Sequence, residues 1–68
     1  MTKTEMVEAG KKHADDGKTT VPFDCRNIDA KIIAFSKKTD RPFKTYATLR
    51  GAFNKGWEKR YHELTAIR

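Results

Sequence analysis

The chain has 68 residues, 37% of them hydrophobic and 35% charged, with a net charge of +6. A chain this short supports one domain with one small core, because only about 60% of the surface exposed by an unfolded chain of this size can be buried. That leaves little material for a deep enzyme pocket, yet the apolar content is too high for a wholly disordered chain. The charge is uneven. Residues 1–30 hold five Lys/Arg and six Asp/Glu, whereas residues 31–68 hold ten and three. A basic half of this kind favours polyanionic partners such as RNA, DNA or an acidic protein surface. The single cysteine, Cys25, allows no internal disulfide and suits a reducing cytosol. The first residues, MTKTEMVEAGKK, lack the apolar run of a signal peptide, and no stretch approaches a membrane span. The expectation is a soluble, cytoplasmic, single-domain protein over 1–68 with no membrane partner.

In chain order, Thr2-Lys3-Thr4-Glu5 has the spacing of a capping box and predicts a helix to about Asp16. Gly17 would close it in the left-handed conformation. At 100° per residue, Met6, Gly10, His13, Ala14 and Gly17 share one arc with Val7 at its edge, so the inward face is small and invites close packing. Pro22 pushes Val21 towards an extended conformation, and Pro22-Phe23 reads as a tight connection with Phe23 anchored in the core.

The stretch NIDAKIIAFSKK admits two readings. As a helix it has Asn27 as cap, Asp29 in the first turn and Lys37 and Lys38 in the last, all matched to the helix dipole. Ile28, Ile32 and Phe35 then share a face. As a strand, KIIAF would pair with FKTYA in a hairpin at about 31–48, but adjacent Ile32 and Ile33 break the required alternation. The helix is preferred. Asp40 and Pro42 mark a turn and a fresh helix start. From about Thr45 to Ala66, Tyr46, Leu49, Phe53, Trp57, Tyr61 and Leu64 recur at intervals of 3, 4, 4, 4 and 3. They fill an arc of about 120°, a core-facing stripe. Residues 65–68 are expected to fray. The fold class is therefore all-α, two or three helices with a long C-terminal one; the alternative is α+β with the central hairpin.

Gly56 stands inside the long helix, where glycine costs about 1 kcal/mol relative to alanine. Its place at the flank of the apolar arc, beside Phe53 and Arg60, predicts a steric role. It lets the N-terminal helix, with Gly10 and Ala14, approach closely while Trp57 caps the contact.

Catalytic and metal chemistry find little support. Cys25 beside Asp24 is not placed for a low thiol pKa, and Cys25, His13 and His62 lack the paired spacing of zinc ligands. No glycine-rich phosphate loop follows a strand. No catalytic residue, metal or cofactor is expected. The binding candidates lie on the long helix. Lys44, Lys55 and Lys59, with His62, cluster opposite the apolar arc, where several cations could meet one phosphate backbone. Arg50 and Arg60 project beside Phe53, Trp57 and Tyr61. They would either run along apolar surface or form an arginine–aromatic edge suited to unpaired bases. Trp57 reads first as a core residue and second as a base platform.

Three pieces, GKKHADDG (Gly10 to Gly17), Pro22-Phe23 and FNKGW (Phe53 to Trp57), cover about a third of the chain. In this order they resemble ribosome modulation factor and the small bacterial and phage proteins related to it. That family has glycines at the first spacing, Pro-Tyr after them and Trp-x-x-Gly-Trp in the second helix. Here Phe23 replaces the tyrosine, Phe53 replaces the first tryptophan, and the segment between the halves is longer. The resemblance implies a small helical protein, without enzyme activity or cofactor, that binds the ribosome through ribosomal RNA and stalls translation. The leading expectation is thus a basic RNA-binding protein using Lys44, Lys55, Lys59 and Arg60, supported by Arg50. The alternative is a phage-encoded inhibitor of an acidic or nucleic-acid-binding host protein, with Arg50, Trp57 and Arg60 as its hot spot. Duplex DNA reading by the long helix is disfavoured, because its exposed face lacks the Asn, Gln and Arg density used to read base edges.

Overall fold

A computed structural model describes residues 1–66. Three helices form, α1 (Lys3–Asp15), α2 (Arg26–Ser36) and α3 (Pro42–Thr65), with no strand among the described residues. The fold is all-α, and residues 31–48 are helical on both sides of a turn rather than a hairpin of strands.

The ends of α1 follow from its sequence. The Thr2 hydroxyl accepts the Glu5 amide (3.1 Å) while the Glu5 carboxylate accepts the Thr2 amide (2.9 Å), so two otherwise orphaned donors are satisfied reciprocally. At the other end Gly17 takes φ +76°, donating to the Ala14 carbonyl, while Lys18 donates to that of His13. This is a Schellman closure, and a β-carbon at residue 17 would be strained.

Two local expectations need correction. Helical bonding in α2 begins at the Cys25 carbonyl, which accepts the Asp29 amide (2.8 Å); Cys25 is the N-cap and Asn27 lies in the first turn. The preceding residues already turn, with the Cys25 amide donating to Val21 and Pro22, and this advances the helix by two residues. Lys37 is the C-cap and Lys38 lies beyond it. Phe23 does not anchor the core. It is 77% exposed, while the same turn delivers Cys25 fully buried. The Phe23 ring instead carries the Arg26 guanidinium at 5.5 Å. Pro42 starts α3 three residues earlier than the apolar stripe suggests, at a position where its missing N–H costs nothing. Ala66 caps α3; the fraying expected at 65–68 otherwise falls on residues 67 and 68, outside the described ones.

Helix α3, about 36 Å long at 1.5 Å per residue, sets the 45 Å length of the molecule. Both other helices pack on it rather than on each other. α2 returns along it as an antiparallel hairpin through residues 37–41. α1 lies alongside in the same general direction, with Lys3 near Thr48 and Asp15 bound to Arg60. The crossing of α1 and α3 is built on two glycines, as the sequence predicts. A β-carbon at Gly10 would overlap the Phe53 carbonyl and lie 2.8 Å from the Trp57 nitrogen. One at Gly56 would overlap the Val7 carbonyl and lie 2.8 Å from the Val7 Cα.

The core is Met6, Cys25, Ile32, Leu49, Ala52 and Phe53, with Ile28, Phe35 and Tyr46 packed at its margin. The predicted stripe on α3 is therefore buried only in its first half. Tyr61 and Leu64 are 47% and 40% exposed, because α1 ends level with Arg60 and no other element among the described residues follows it along α3. No helix among the described residues is long and apolar enough to cross a membrane.

Candidate polyanion-binding groove

The arginine–aromatic edge of α3 is engaged inside the molecule. Arg50 donates to Asp29 Oδ1 (2.8 Å) and to the Thr20 carbonyl (3.0 Å), lies over the Phe53 ring, and leaves 14% of its side chain exposed. Tyr46 donates to the same Asp29 oxygen (3.1 Å); burial first, and then this hydrogen bond, push its phenol pKa up. Trp57 donates its indole N–H to the Lys18 carbonyl (2.7 Å) and stacks on Tyr61 with ring centres 4.9 Å apart. Arg60 binds the Asp15 carboxylate and approaches Glu63 at 3.8 Å. These groups tie α1, α2 and the connection between them onto α3. The two sequence readings for Arg50 and Arg60 are a run along apolar surface and an arginine–aromatic edge. Arg50 does lie over Phe53, but both guanidiniums are held by carboxylates, Asp29 and Asp15, that neither reading includes.

The lysines differ. Lys44, Lys55 and Lys59 are exposed and form no ion pair among the described residues. Two adjoining depressions run between the start of α1 and the outer side of α3. The first is lined by Lys3, Arg41, Lys44 and Thr48, and the second by Lys3, Thr48, Gly51 and Lys55. Lys3 and Thr48 belong to both, so they form one groove with a cation on each wall. Asp40 is the acidic group on its rim. Lys59 stands one helical turn beyond Lys55, about 6 Å further along the axis. The floor around Gly51 is open: a β-carbon there would meet nothing within 4 Å.

Lys3 and Arg41 are additions that a wheel of α3 cannot supply, since they come from α1 and from the residue preceding Pro42. The glycine crossing carried the missing signal. Once α1 packs along α3 through Gly10 and Gly56, its first turn must come level with Thr48.

The fold also brings Cys25 and His13 together, Sγ to Nε2 at 3.9 Å. The same Nε2 lies 2.8 Å from the Thr19 carbonyl, an acceptor only, so this nitrogen carries the proton and has no lone pair for the thiol. The thiol is fully buried and faces that carbonyl at 3.5 Å. The pair is a packing arrangement that closes the connection between α1 and α2.

Comparison with known proteins gave no match: no family model, curated protein or solved structure aligns significantly with the chain.

Proposed function

We propose that the chain is a non-enzymatic RNA-binding protein that acts in the cytoplasm on ribosomal RNA or the assembled ribosome and regulates translation, as the resemblance to ribosome modulation factor implies. The observation that carries the reading is the set of unpaired cations, Lys3, Lys44, Lys55 and Lys59, distributed along one groove and its extension. Lys44 and Lys59 are about 22 Å apart along α3, beyond the ~8 Å screening length at physiological salt. They would act as separate phosphate contacts rather than one focused charge. At Gly51 the floor of the groove carries no side chain, which leaves room for a sugar–phosphate backbone.

Four such contacts give a salt slope of about −3 for a single strand. Replacing Lys55 and Lys59 with alanine should weaken binding to ribosomal RNA fragments and flatten that slope by about 1.4. Fluorescence anisotropy across a potassium chloride series reads both quantities. Unchanged affinity and slope would remove this face from RNA binding. The host-protein inhibitor reading draws on Arg50, Trp57 and Arg60, whose polar groups already serve the fold. The lysine groove is therefore the stronger basis.

A further inference from the structure

The most exposed large apolar side chain among the described residues lies outside the groove, at the start of α3. Phe43 is 93% exposed and Ile33 is 43% exposed. With Ser36, Lys37, Pro42 and Tyr46 they border a cleft of about 450 Å³ between the end of α2 and the start of α3. Ser36 is 2% exposed, and its hydroxyl has no hydrogen-bond partner, an uncommon condition for a buried polar group. One cation, Lys37, lines the cleft, and Arg41 and Lys44 line the adjoining depression on the other side of the start of α3. Residues 37–44 hold four cations, Lys37, Lys38, Arg41 and Lys44, against the single acid Asp40. All four are exposed and unpaired among the described residues. Helix α3 also starts without a side-chain cap and without an acid in its first turn. Beyond Pro42, which has no N–H, its first amides have no side-chain acceptor.

We propose that this cleft is a base-stacking site for single-stranded RNA. The Phe43 ring takes the face of one unpaired base, while the neighbouring phosphates meet Arg41, Lys44 and Lys37. The inference deepens the RNA-binding reading and rests on it; what it adds is the class of RNA. One nucleotide supplies both things the site presents, a flat apolar face for a bare phenyl ring and an anion for the cations beside it. Every base has such a face, and a duplex hides it between neighbours. A protein partner would have to bring an apolar anchor together with several separately placed carboxylates. Phe43 and Lys44 are consecutive, one bordering the cleft and the other the lysine groove, so a strand can pass from one to the other over the start of α3.

The test uses the intact chain and three labelled probes: an unstructured RNA 12-mer, the same strand with abasic positions, and the corresponding duplex. Fluorescence anisotropy should show the 12-mer bound roughly tenfold more tightly than the abasic strand, the scale of one stacked base. Phe43→Ala should bring the 12-mer down to the abasic value with its salt slope unchanged, and Phe43→Trp should retain or improve it. Because Phe43 buries almost nothing, thermal melts of these variants should match the wild type, so a fold defect cannot imitate the result. Equal binding of all three probes, unaffected by Phe43→Ala, would overturn the stacking site while leaving the lysine groove as an RNA contact. Binding to none of the probes would overturn both. If Phe43→Ala changes only sedimentation or retention of a protein, the cleft is a protein contact and the proposal is wrong.

Discussion

At Gly56 the steric demand is absolute in a way that few single positions are. The atoms that a β-carbon would meet belong to the backbone of Val7, so no side-chain rotation can relieve the overlap. Gly56→Ala gains the alanine helix preference of about 1 kcal/mol. Against this it must separate α1 from α3, an overpacking cost of about 1–3 kcal/mol in an ordinary core and at the high end here. The expected net loss of about 2 kcal/mol lowers the melting temperature by roughly 10 °C in a domain of this size. Gly51→Ala is the internal control: the same substitution in the same helix, into open space, should raise the melting temperature by several degrees. Differential scanning fluorimetry of the two variants decides the matter, and two shifts of the same sign would mean that the crossing is not glycine-limited. The role of Gly56 was legible in the sequence because an unfavourable residue in a helix demands a compensating contact, and Gly10 on the small face of α1 offered one. Phe23 was not legible. A Pro-aromatic turn announces itself, but nothing local decides whether Phe23 or Cys25 faces inward; Cys25 does, and Phe23 lies outside under the Arg26 guanidinium.

The connection between α1 and α2 shows how an element without regular structure is held. Asp24 accepts from the Thr19 amide (2.9 Å) and from the Thr19 hydroxyl (2.8 Å). The backbone hydrogen bond first, and then the hydroxyl, hold its carboxyl below the usual carboxylate range. A folded pKa depressed in this way contributes stability that is present above the unfolded value of about 3.9 and is lost as pH falls through the folded value. Asp24→Asn should therefore be less stable than the wild type at pH 7, and the gap should close below pH 4. Urea titrations at pH 7, 5 and 3 would reveal it; a gap independent of pH would mean that the side chain acts by packing and not by charge. At this scale α1 was readable from its capping box, its closing glycine and its small-residue face, and α3 from Pro42 and its apolar spacing, whereas α2 carried only its spacing. The helix read over residues 27–38 was the least secure, since a short apolar run serves either structure. The tertiary ties that settle it, Tyr46 and Arg50 on Asp29, span 17 and 21 residues and leave no trace in local pattern. The same distance effect hid Lys3 from the groove, whereas Arg41 escaped because it precedes the helix.

For the whole molecule, charge and core pull in opposite directions. A core of six buried side chains stabilises the fold modestly, while a net charge of +6 opposes compaction. Raising the salt concentration screens this repulsion and also weakens the ion pairs, so the sign of the net effect depends on which population is larger. The pairs that link separate elements are Arg50 with Asp29 and Arg60 with Asp15. The second is about half exposed, a setting in which an ion pair contributes little. The first is sheltered and least affected by screening. Against them stand cations that form no ion pair among the described residues, including Lys3, Lys37, Lys38, Arg41, Lys44, Lys55 and Lys59 over the groove, the cleft and the outer side of α3. With more unpaired cations than inter-element pairs, repulsion is expected to be the larger effect. The melting temperature should rise between 50 and about 300 mM potassium chloride, over the same range in which RNA affinity falls. Stability and binding would then respond to salt with opposite signs because they draw on the same cations, which repel one another in the free protein and are neutralised when a polyanion is bound. A melting temperature that falls with salt would show that the two inter-element ion pairs outweigh the cationic surface, and that the surface is more dispersed than a binding groove requires.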